Sequence, residues 1–145
     1  MELKIRRFDE LTARELFALY KLRVSVFVVE QRCPYQEVDD ADLHSYHVWL
    51  EENGEVAACL RVIEAGVNFP EVSIGRVIAV RRRCGLGTRI VEEGLRVARE
   101  RLGARRVVIE AQTYARELYE RLGFRQVSEE FLEDGIAHIR MLWEG

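Results

Sequence analysis

Cysteine, long apolar runs and a signal-peptide pattern are scarce or missing in this sequence. Cys33, Cys59 and Cys84 are odd in number and widely spaced, so they fit neither a disulfide framework nor a zinc site. No apolar run is long enough to span a membrane, and no stretch combines a basic start with an apolar centre and a cleavage site. We therefore expect a cytoplasmic protein with no membrane partner and no metal.

A strong excess of one charge is missing as well. The 145 residues carry a formal net charge of -3, which gives no reason to expect nucleic acid as a partner. A hydrophobic content of 48% with 32% charged residues is ordinary for a soluble globular protein, and no linker or repeat interrupts the chain. Residues 1–145 are predicted to form one domain with a single core, as a monomer or a homodimer.

The stretch from Val72 to Leu102 organises the chain. A run rich in β-branched residues, from Val72 to Val80, predicts a buried strand. A basic turn with glycines follows at residues 81–88, and apolar residues then recur at helical spacing as far as Leu102, with Gly103 as the expected C′ residue. This arrangement predicts an anion site, because first-turn amides have no intrahelical partner and the helix dipole favours negative charge.

A phosphate-bearing ligand suits this turn, but two common phosphate motifs do not match it. A P-loop needs Lys and then Ser or Thr after its second glycine, where this chain has Thr88 and Arg89. A dinucleotide fingerprint needs a small residue where Ile90 stands. The pattern that remains is Arg82-x-x-Gly85-x-Gly87.

Periodicity along the whole chain predicts an α+β fold with the element order βαβββαβαββ. A capping box formed by Thr12 and Glu15 predicts a helix from Ala13. Its end stays open, since the valines between residues 24 and 29 are poor helix formers. The dipeptides Asn53-Gly54 and Asp134-Gly135 predict two β-hairpins, the first with a type I′ turn.

The acidic segment, residues 30–42, is the most individual part of the sequence. It has one arginine and the carboxylates Glu30, Glu37, Asp39, Asp40 and Asp42. Two interpretations remain open. The segment is either a solvated acidic surface or an acceptor site whose negative field attracts an amine.

Two signatures resemble the GNAT superfamily of N-acetyltransferases. The pattern Arg82-x-x-Gly85-x-Gly87 resembles its acetyl-CoA pyrophosphate loop. The pattern Ala115-x-x-Leu118-Tyr119-x-x-Leu122-Gly123-Phe124 resembles its second signature, in which a short helix ends in Leu-Gly-Phe.

Two further stretches narrow the resemblance to the ElaA family. They are Arg23 with Phe27-Val28-Val29-Glu30-Gln31-x-Cys33-Pro34-Tyr35-x-Glu37-x-Asp39-x-x-Asp42, and Glu133-Asp134-Gly135-Ile136 followed by His138. The resemblance covers nearly the whole chain. It implies the GNAT fold, a mixed and mostly antiparallel sheet with a splayed central strand pair and helices on both faces.

The resemblance also implies the activity and the co-substrate. We expect an acetyl-CoA-dependent N-acetyltransferase that transfers the acetyl group directly to a primary amine. Backbone groups of Val77, Ile78 and Ala79 would receive the pantetheine arm. The pyrophosphate loop would comprise Arg82, Arg83, Cys84, Gly85, Leu86, Gly87 and Thr88. Direct transfer makes an acyl-carrier role for Cys84 unnecessary.

Direct transfer requires amides for the oxyanion, a base for the ammonium proton and an acid for the departing thiolate. The amides of Gly75 and Val77 are candidates for the first. Tyr119 matches the tyrosine that many GNAT enzymes carry in the Leu-Gly-Phe helix, and a phenol of pKa about 10 can protonate a thiolate. The alternative is that the Tyr119 ring only packs.

The base remains open at this stage. Glu71 stands at the offset where some GNAT enzymes carry a catalytic glutamate, Glu110 is a second option, and a relayed water is a third. His47 is expected to be a hydrogen-bonded packing residue. Gln112 would bond the pantetheine or thiol end of the cofactor, or is a polar residue at a strand end.

The acceptor is expected to be a small-molecule or peptide amine with positive charge, bound by Glu30, Glu37 and Asp39. A rival function is a non-catalytic acyl-CoA-binding module that acts as a sensor or as a partner's subunit. Tyr119 and the acidic segment favour the enzyme.

Overall fold

A computed structural model describes residues 1–81 and 84–145. Eleven main elements follow one another in these residues: β1 (Glu2–Arg7), α1 (Ala13–Val24), β2 (Ser45–Glu52), β3 (Glu55–Ile63), β4 (Val72–Ala79), α2 (Leu86–Leu102), β5 (Arg106–Gln112), α3 (Arg116–Arg121), β6 (Phe124–Gln126), β7 (Phe131–Glu133) and β8 (Ile136–Glu144). No described helix is long and apolar enough to cross a membrane.

The strands form one mixed sheet in the order β1-β2-β3-β4-β5-β8-β6, with β7 also paired to β8. Among the described pairs, β4 and β5 run parallel and the others run antiparallel. The parallel crossover is made by α2, as a βαβ connection requires. This is the mixed, mostly antiparallel sheet that the sequence predicts.

The two faces of the sheet differ in character. One face is apolar and packs on α2 in the main core, with fully buried residues such as Val62, Ile90, Val91 and Met141. Gly94 permits this contact, because a Cβ there would lie 2.9 Å from Leu60 Cδ2. The other face carries a smaller apolar cluster under α1 that includes Leu19, Trp49, Cys59 and Ile78. Helices therefore lie on both faces.

Beside the smaller cluster, the α1 face of the sheet is polar. Register places Arg61 opposite Gly75, and Glu110 opposite Arg140. Because side chains alternate along a strand, the same face also receives Ser73, Gln112 and His138. Polar residues on an interior-facing strand surface indicate a site rather than a core.

Local predictions of helix and turn ends agree with the structure. The Thr12 hydroxyl accepts from the Glu15 amide at 3.1 Å, and the Glu15 carboxylate accepts from the Thr12 amide at 3.0 Å. Gly103 closes α2 in the left-handed region at φ 63°. Asn53 and Gly54 have φ of 54° and 79°, as a type I′ turn requires.

The structure defines one helix end that the sequence left open, and it divides one arm of a predicted hairpin. The helix that begins at Ala13 is α-helical as far as Val24 and continues as a π-helix over Ser25–Glu30, where β-branched valines crowd the turns. The first arm of the closing hairpin is not one strand but the separate strands β6 and β7. Between β6 and β7, Ser128 Oγ accepts a hydrogen bond from the Arg140 amide of β8 at 2.8 Å. A side chain there takes the place of a backbone carbonyl.

Candidate active site

A cleft opens where β4 and β5 separate. The two strands pair at only three positions, from Val72 with Val107 to Ile74 with Ile109. Beyond Ile74, β4 stays on β3 while β5 stays on β8. The gap continues into a cleft of about 720 Å³, which is lined by both strands and by the segment that follows α1. This is the splay that the GNAT resemblance predicts.

An extra residue in β4 shapes one wall of the cleft. Between the pairs Arg61–Gly75 and Cys59–Ile78, β4 contributes one residue more than β3, and Arg76 adopts φ 54° in this bulge. The Val80 amide donates to the Ala57 carbonyl of β3 at 2.9 Å.

Peptide groups alternate along a strand, and this decides which backbone groups face the gap. Counting back from Val80, the backbone groups of Ile78 point to β3 and those of Val77 and Ala79 point away from it. Of the three residues expected to receive the pantetheine arm, Val77 and Ala79 are therefore suitably directed, while Ile78 is held against β3. Gly75 is paired with Arg61 of β3, so its amide is not free to face the gap. Of the two amides considered for the oxyanion, the Val77 amide is therefore the better candidate.

Among the described residues, no side chain caps the N-terminus of α2. Gly85 occupies the N-cap at φ 77°, and the first-turn amides belong to Leu86, Gly87 and Thr88. Such amides lack intrahelical partners and can bind an anion. Cys84 is exposed, and its thiol donates to the Arg81 carbonyl at 3.4 Å. Arg82 and Arg83, predicted to contribute to the same loop, lie outside the described residues.

Gly87 also has a packing role. A Cβ at this position would lie 3.2 Å from Leu118 Cδ1, which is a tight contact with α3. Loss of ligand binding in a Gly87 variant would therefore not by itself identify a phosphate contact.

Tyr119 lines the cleft from α3. Its side chain is buried and meets Phe124 edge-on, with ring centroids 5.7 Å apart. Burial raises the pKa of the phenol, and nearby Tyr114 adds to this effect. The hydroxyl therefore keeps its proton throughout the physiological pH range and can donate it.

Gln112 stands at the end of β5 and also lines the cleft. Its Nε2 donates to Gln31 Oε1 at 3.4 Å, which links β5 to the segment after α1. The side chain therefore faces the open part of the site.

The two glutamates considered as bases lie in different places. Glu71 precedes β4 at its paired end and is not among the described residues that line the cleft. Glu110 lines the cleft at the open end. Burial and then Glu133 raise the pKa of Glu110, against the lowering effect of Arg140 and His138.

An ionic cluster fills the space between α1, the acidic segment and the sheet. It comprises Arg23, Arg61, Arg76, Glu37, Asp39 and Asp42. Arg23 Nε donates to Glu37 Oε2 at 2.9 Å, and Arg61 Nη1 donates to Asp39 Oδ1 at 2.5 Å. Arg76 pairs with both Glu37 and Asp39.

Burial alone would raise the pKa of Asp42. The hydrogen bond from Arg23 and the charges of Arg23 and Arg61 outweigh it and lower that pKa overall. His47 Nε2 donates to the Asp42 carbonyl at 2.9 Å, and burial lowers the pKa of this imidazole. His47 is thus a buried, hydrogen-bonded residue of the fold, as expected.

Because of the ionic cluster, the acidic segment has less unpaired negative charge than its composition suggests. Three of its five carboxylates are matched by three arginines, so they do not present a strong negative field. The Glu37 side chain is only 2% exposed and is held by Arg23 and Arg76. Of the three predicted acceptor-binding residues, Asp39 lines the cleft with a side chain 33% exposed, whereas Glu30 and Glu37 are not among the described lining residues.

Several polar residues that line the cleft had no role assigned from the sequence. They are Arg61, Ser73, Arg76, Glu133, His138 and Arg140. Glu133 and His138 belong to a stretch that resembles the ElaA family, but that resemblance gave them no role, and the other four match no motif. Only the strand register brings them to one face.

Comparison with known proteins identifies the family. A family model described as the acetyltransferase (GNAT) domain matches residues 15–144. The chain belongs to the GNAT acetyltransferase family. A GNAT domain of this kind makes it an acyltransferase.

Close relatives place the chain in the ElaA group of that family. ElaA of Escherichia coli is 36% identical over 94% of this chain and 92% of its own length. A UPF0039 protein of Schizosaccharomyces pombe is 37% identical over 99% of this chain and 97% of its own. The ElaA resemblance that the sequence predicted is thus confirmed.

Solved structures confirm the GNAT fold. The crystal structure of E. coli ElaA superposes with a TM-score of 0.92 at 34% identity, covering 99% of both chains. An acyl-CoA N-acyltransferase of Pseudomonas aeruginosa superposes with a TM-score of 0.90 at 38% identity, again over 99% of both.

Proposed function

We propose that this GNAT protein transfers the acetyl group of acetyl-CoA directly to a primary amine. The observation that carries the proposal is the splay between β4 and β5, which has a buried tyrosine on one wall and uncapped helix amides at the start of α2. An extended thioester needs such a gap between strands to reach an acceptor on the far side.

The co-substrate is placed by backbone groups and by the helix. The backbone of Val77 and Ala79 hydrogen-bonds the amides of the pantetheine arm, as an added strand would. The amides of Leu86, Gly87 and Thr88 hold the pyrophosphate, with Cys84 and Gly85 at the turn and Arg82 and Arg83 as supporting charge. Gln112 approaches the thiol end from β5.

The transfer itself is a single acyl exchange. The neutral amine attacks the thioester carbon, and the Val77 amide stabilises the oxyanion that develops. A C–N bond forms, the C–S bond breaks, and Tyr119 gives its proton to the sulfur as the thiolate departs. The proton that the nitrogen loses on becoming an amide passes through water to the Tyr119 phenolate and restores the phenol. The Tyr119 hydroxyl is protonated at neutral pH, although burial raises its pKa and so makes it a weaker acid than a free phenol.

We further propose that the acceptor amine is cationic in solution. Its support is a set of carboxylates on the cleft wall, namely Asp39, Glu110, Glu133 and Asp134. Because Glu37, Asp39 and Asp42 are all paired with arginines, this proposal depends chiefly on Glu110, Glu133 and Asp134, on the β5 and β7–β8 side of the cleft.

A turnover screen tests the proposed function. Release of CoA thiol from acetyl-CoA is followed over a panel of amines, amino acids, polyamines and peptides with free N-termini, and the products are analysed by mass spectrometry. At least one primary amine should be acetylated on nitrogen well above the rate of acetyl-CoA hydrolysis. Tight acetyl-CoA binding with no turnover on any amine would instead support a non-catalytic acyl-CoA-binding module.

A further inference from the structure

His138 on β8 lines the cleft directly across from Gln112. Cross-strand neighbours have Cβ atoms about 5 Å apart, so its ring lies beside the open end of β5. The side chain is 11% exposed, and the ring stacks on Phe131 with centroids 6.0 Å apart and planes 22° apart. The imidazole is therefore held in one orientation at the reacting end of the cleft.

A backbone contact determines the tautomer of this imidazole. His138 Nδ1 lies 2.7 Å from the Ile136 carbonyl oxygen. A carbonyl oxygen only accepts hydrogen bonds, so Nδ1 carries the proton in the neutral ring. Nε2 then has the lone pair and is the basic nitrogen.

Two glutamates lie near the Nε2 side of the ring. Glu133 Oε2 on β7 lies 3.9 Å from Nε2, and Glu110 on β5 interacts with the same ring. Asp134 also lines the cleft, and its carbonyl accepts a hydrogen bond from the Cys33 thiol. Arg140 is the opposing cation, and it is exposed and stacks on Phe69 at 4.9 Å. Carboxylates therefore predominate around the ring.

We propose that His138 is the general base of the transfer, and that Nε2 removes the proton from the acceptor's ammonium group before attack. This inference rests on the proposed function and supplies the base that it leaves unassigned, for which the sequence offered Glu71, Glu110 or a relayed water. The proton moves from the amine nitrogen to Nε2, and the imidazolium so formed is stabilised by Glu133 and Glu110. Proton transfer by a positioned side chain contributes about 10²- to 10⁴-fold to rate.

Substitution of His138 by Asn gives the sharpest test. The Asn amide can still donate to the Ile136 carbonyl as Nδ1 does, but it has no equivalent of Nε2. We expect kcat for the best amine to fall at least about 100-fold, with the acetyl-CoA dissociation constant and Tm close to wild type. Added imidazole should restore part of the activity of His138→Ala, which has lost the same ring.

Two further measurements separate the alternatives. If Glu110 were the base, Glu110→Gln would lose activity as fully as His138→Asn and imidazole would rescue nothing. The ¹⁵N shifts of His138 report its tautomer without any turnover, and a proton found on Nε2 in the neutral ring would overturn the proposal. If the wild type is active and His138→Asn is equally active, only this inference is wrong. If the wild type itself acetylates no amine, the proposed function is wrong.

Discussion

Arg23 and Asp42 are joined by two parallel hydrogen bonds, from Nη1 to Oδ1 at 2.9 Å and from Nη2 to Oδ2 at 3.0 Å. Both side chains are at most 3% exposed. Bidentate pairs of this kind are strong and directional. The pair fixes the C-terminal part of α1 to the segment that enters β2, and so fixes the wall of the cleft that lies opposite β5 and β8.

Loss of Arg23 should therefore cost much of the stability of the protein. Arg23→Met removes one of the two arginines that pair with each of the buried Asp42 and Glu37 carboxylates, and breaking buried pairs in this way costs about 3–5 kcal/mol. Urea unfolding at pH 7 measures the change. Arg116→Met is the matched control, since Arg116 pairs with Glu120 on the surface and both side chains are about half exposed. That change should cost no more than about 0.5 kcal/mol. Equal effects of the two substitutions would contradict this role of the ionic cluster.

Binding of the co-substrate should depend on charge at the start of α2. Thr88→Asp puts a carboxylate in the first turn, where the helix dipole tolerates or favours it, but it would repel a pyrophosphate. Thr88→Asn is of similar size and neutral. We expect the dissociation constant of CoA, measured by calorimetry, to rise at least about tenfold for Asp and less than about threefold for Asn, in line with about 1.4 kcal/mol per factor of ten.

Thr88 is preferable to Gly87 for this test, because a side chain at Gly87 would press on Leu118. The Tm of Thr88→Asp should equal or exceed that of wild type. Unchanged CoA affinity in the folded Asp variant would mean that the pyrophosphate lies elsewhere.

Removal of the Tyr119 hydroxyl should affect chemistry and leave packing intact. Tyr119→Phe retains the edge-on contact with Phe124. If the phenol protonates the thiolate, kcat should fall about 100-fold or more while the CoA dissociation constant changes little. Leu118→Met, in the same helix and without a proton to give, serves as a control for packing. If Tyr119→Phe loses stability and CoA affinity but retains turnover, the ring only packs.

Much of the fold could be predicted from local patterns, because their physics is local. The capping box at Thr12, the Asn53-Gly54 turn and the Gly103 C-cap each depend on a few neighbouring residues. The end of α1 could not be predicted in the same way. The valines after residue 23 disfavour a helix, and packing of Phe27 and Val26 against the smaller apolar cluster maintains helical structure there as a π-helix.

The parts of the site that belong to sequence motifs could be predicted. The parts that come together only through strand register could not. Tyr119 and the glycine turn are recognisable in the sequence. The partners of Glu37 and Asp42 come from α1, β3 and β4, so the acidic segment could not be recognised as charge-balanced from its own composition. His138 lies in a stretch that resembles the ElaA family, but only strand pairing, which places it across from Gln112, suggests a role for it.

The charge of the acceptor can be tested with two glutamates that differ mainly in location. Glu133 lines the cleft and its side chain is 49% exposed, whereas Glu130 is exposed and is not among the described lining residues. Replacing each by Gln removes the same charge.

A carboxylate about 4 Å from an ammonium group in a water-like environment contributes about 1 kcal/mol, or roughly fivefold in affinity. We expect KM for a cationic amine to rise about fivefold in Glu133→Gln at low salt, and less than about twofold in Glu130→Gln. The difference should shrink as ionic strength approaches 1 M, where the Debye length falls to about 3 Å. An anionic preferred acceptor, or a KM that responds alike to both substitutions, would show that the acceptor is not recognised by its positive charge.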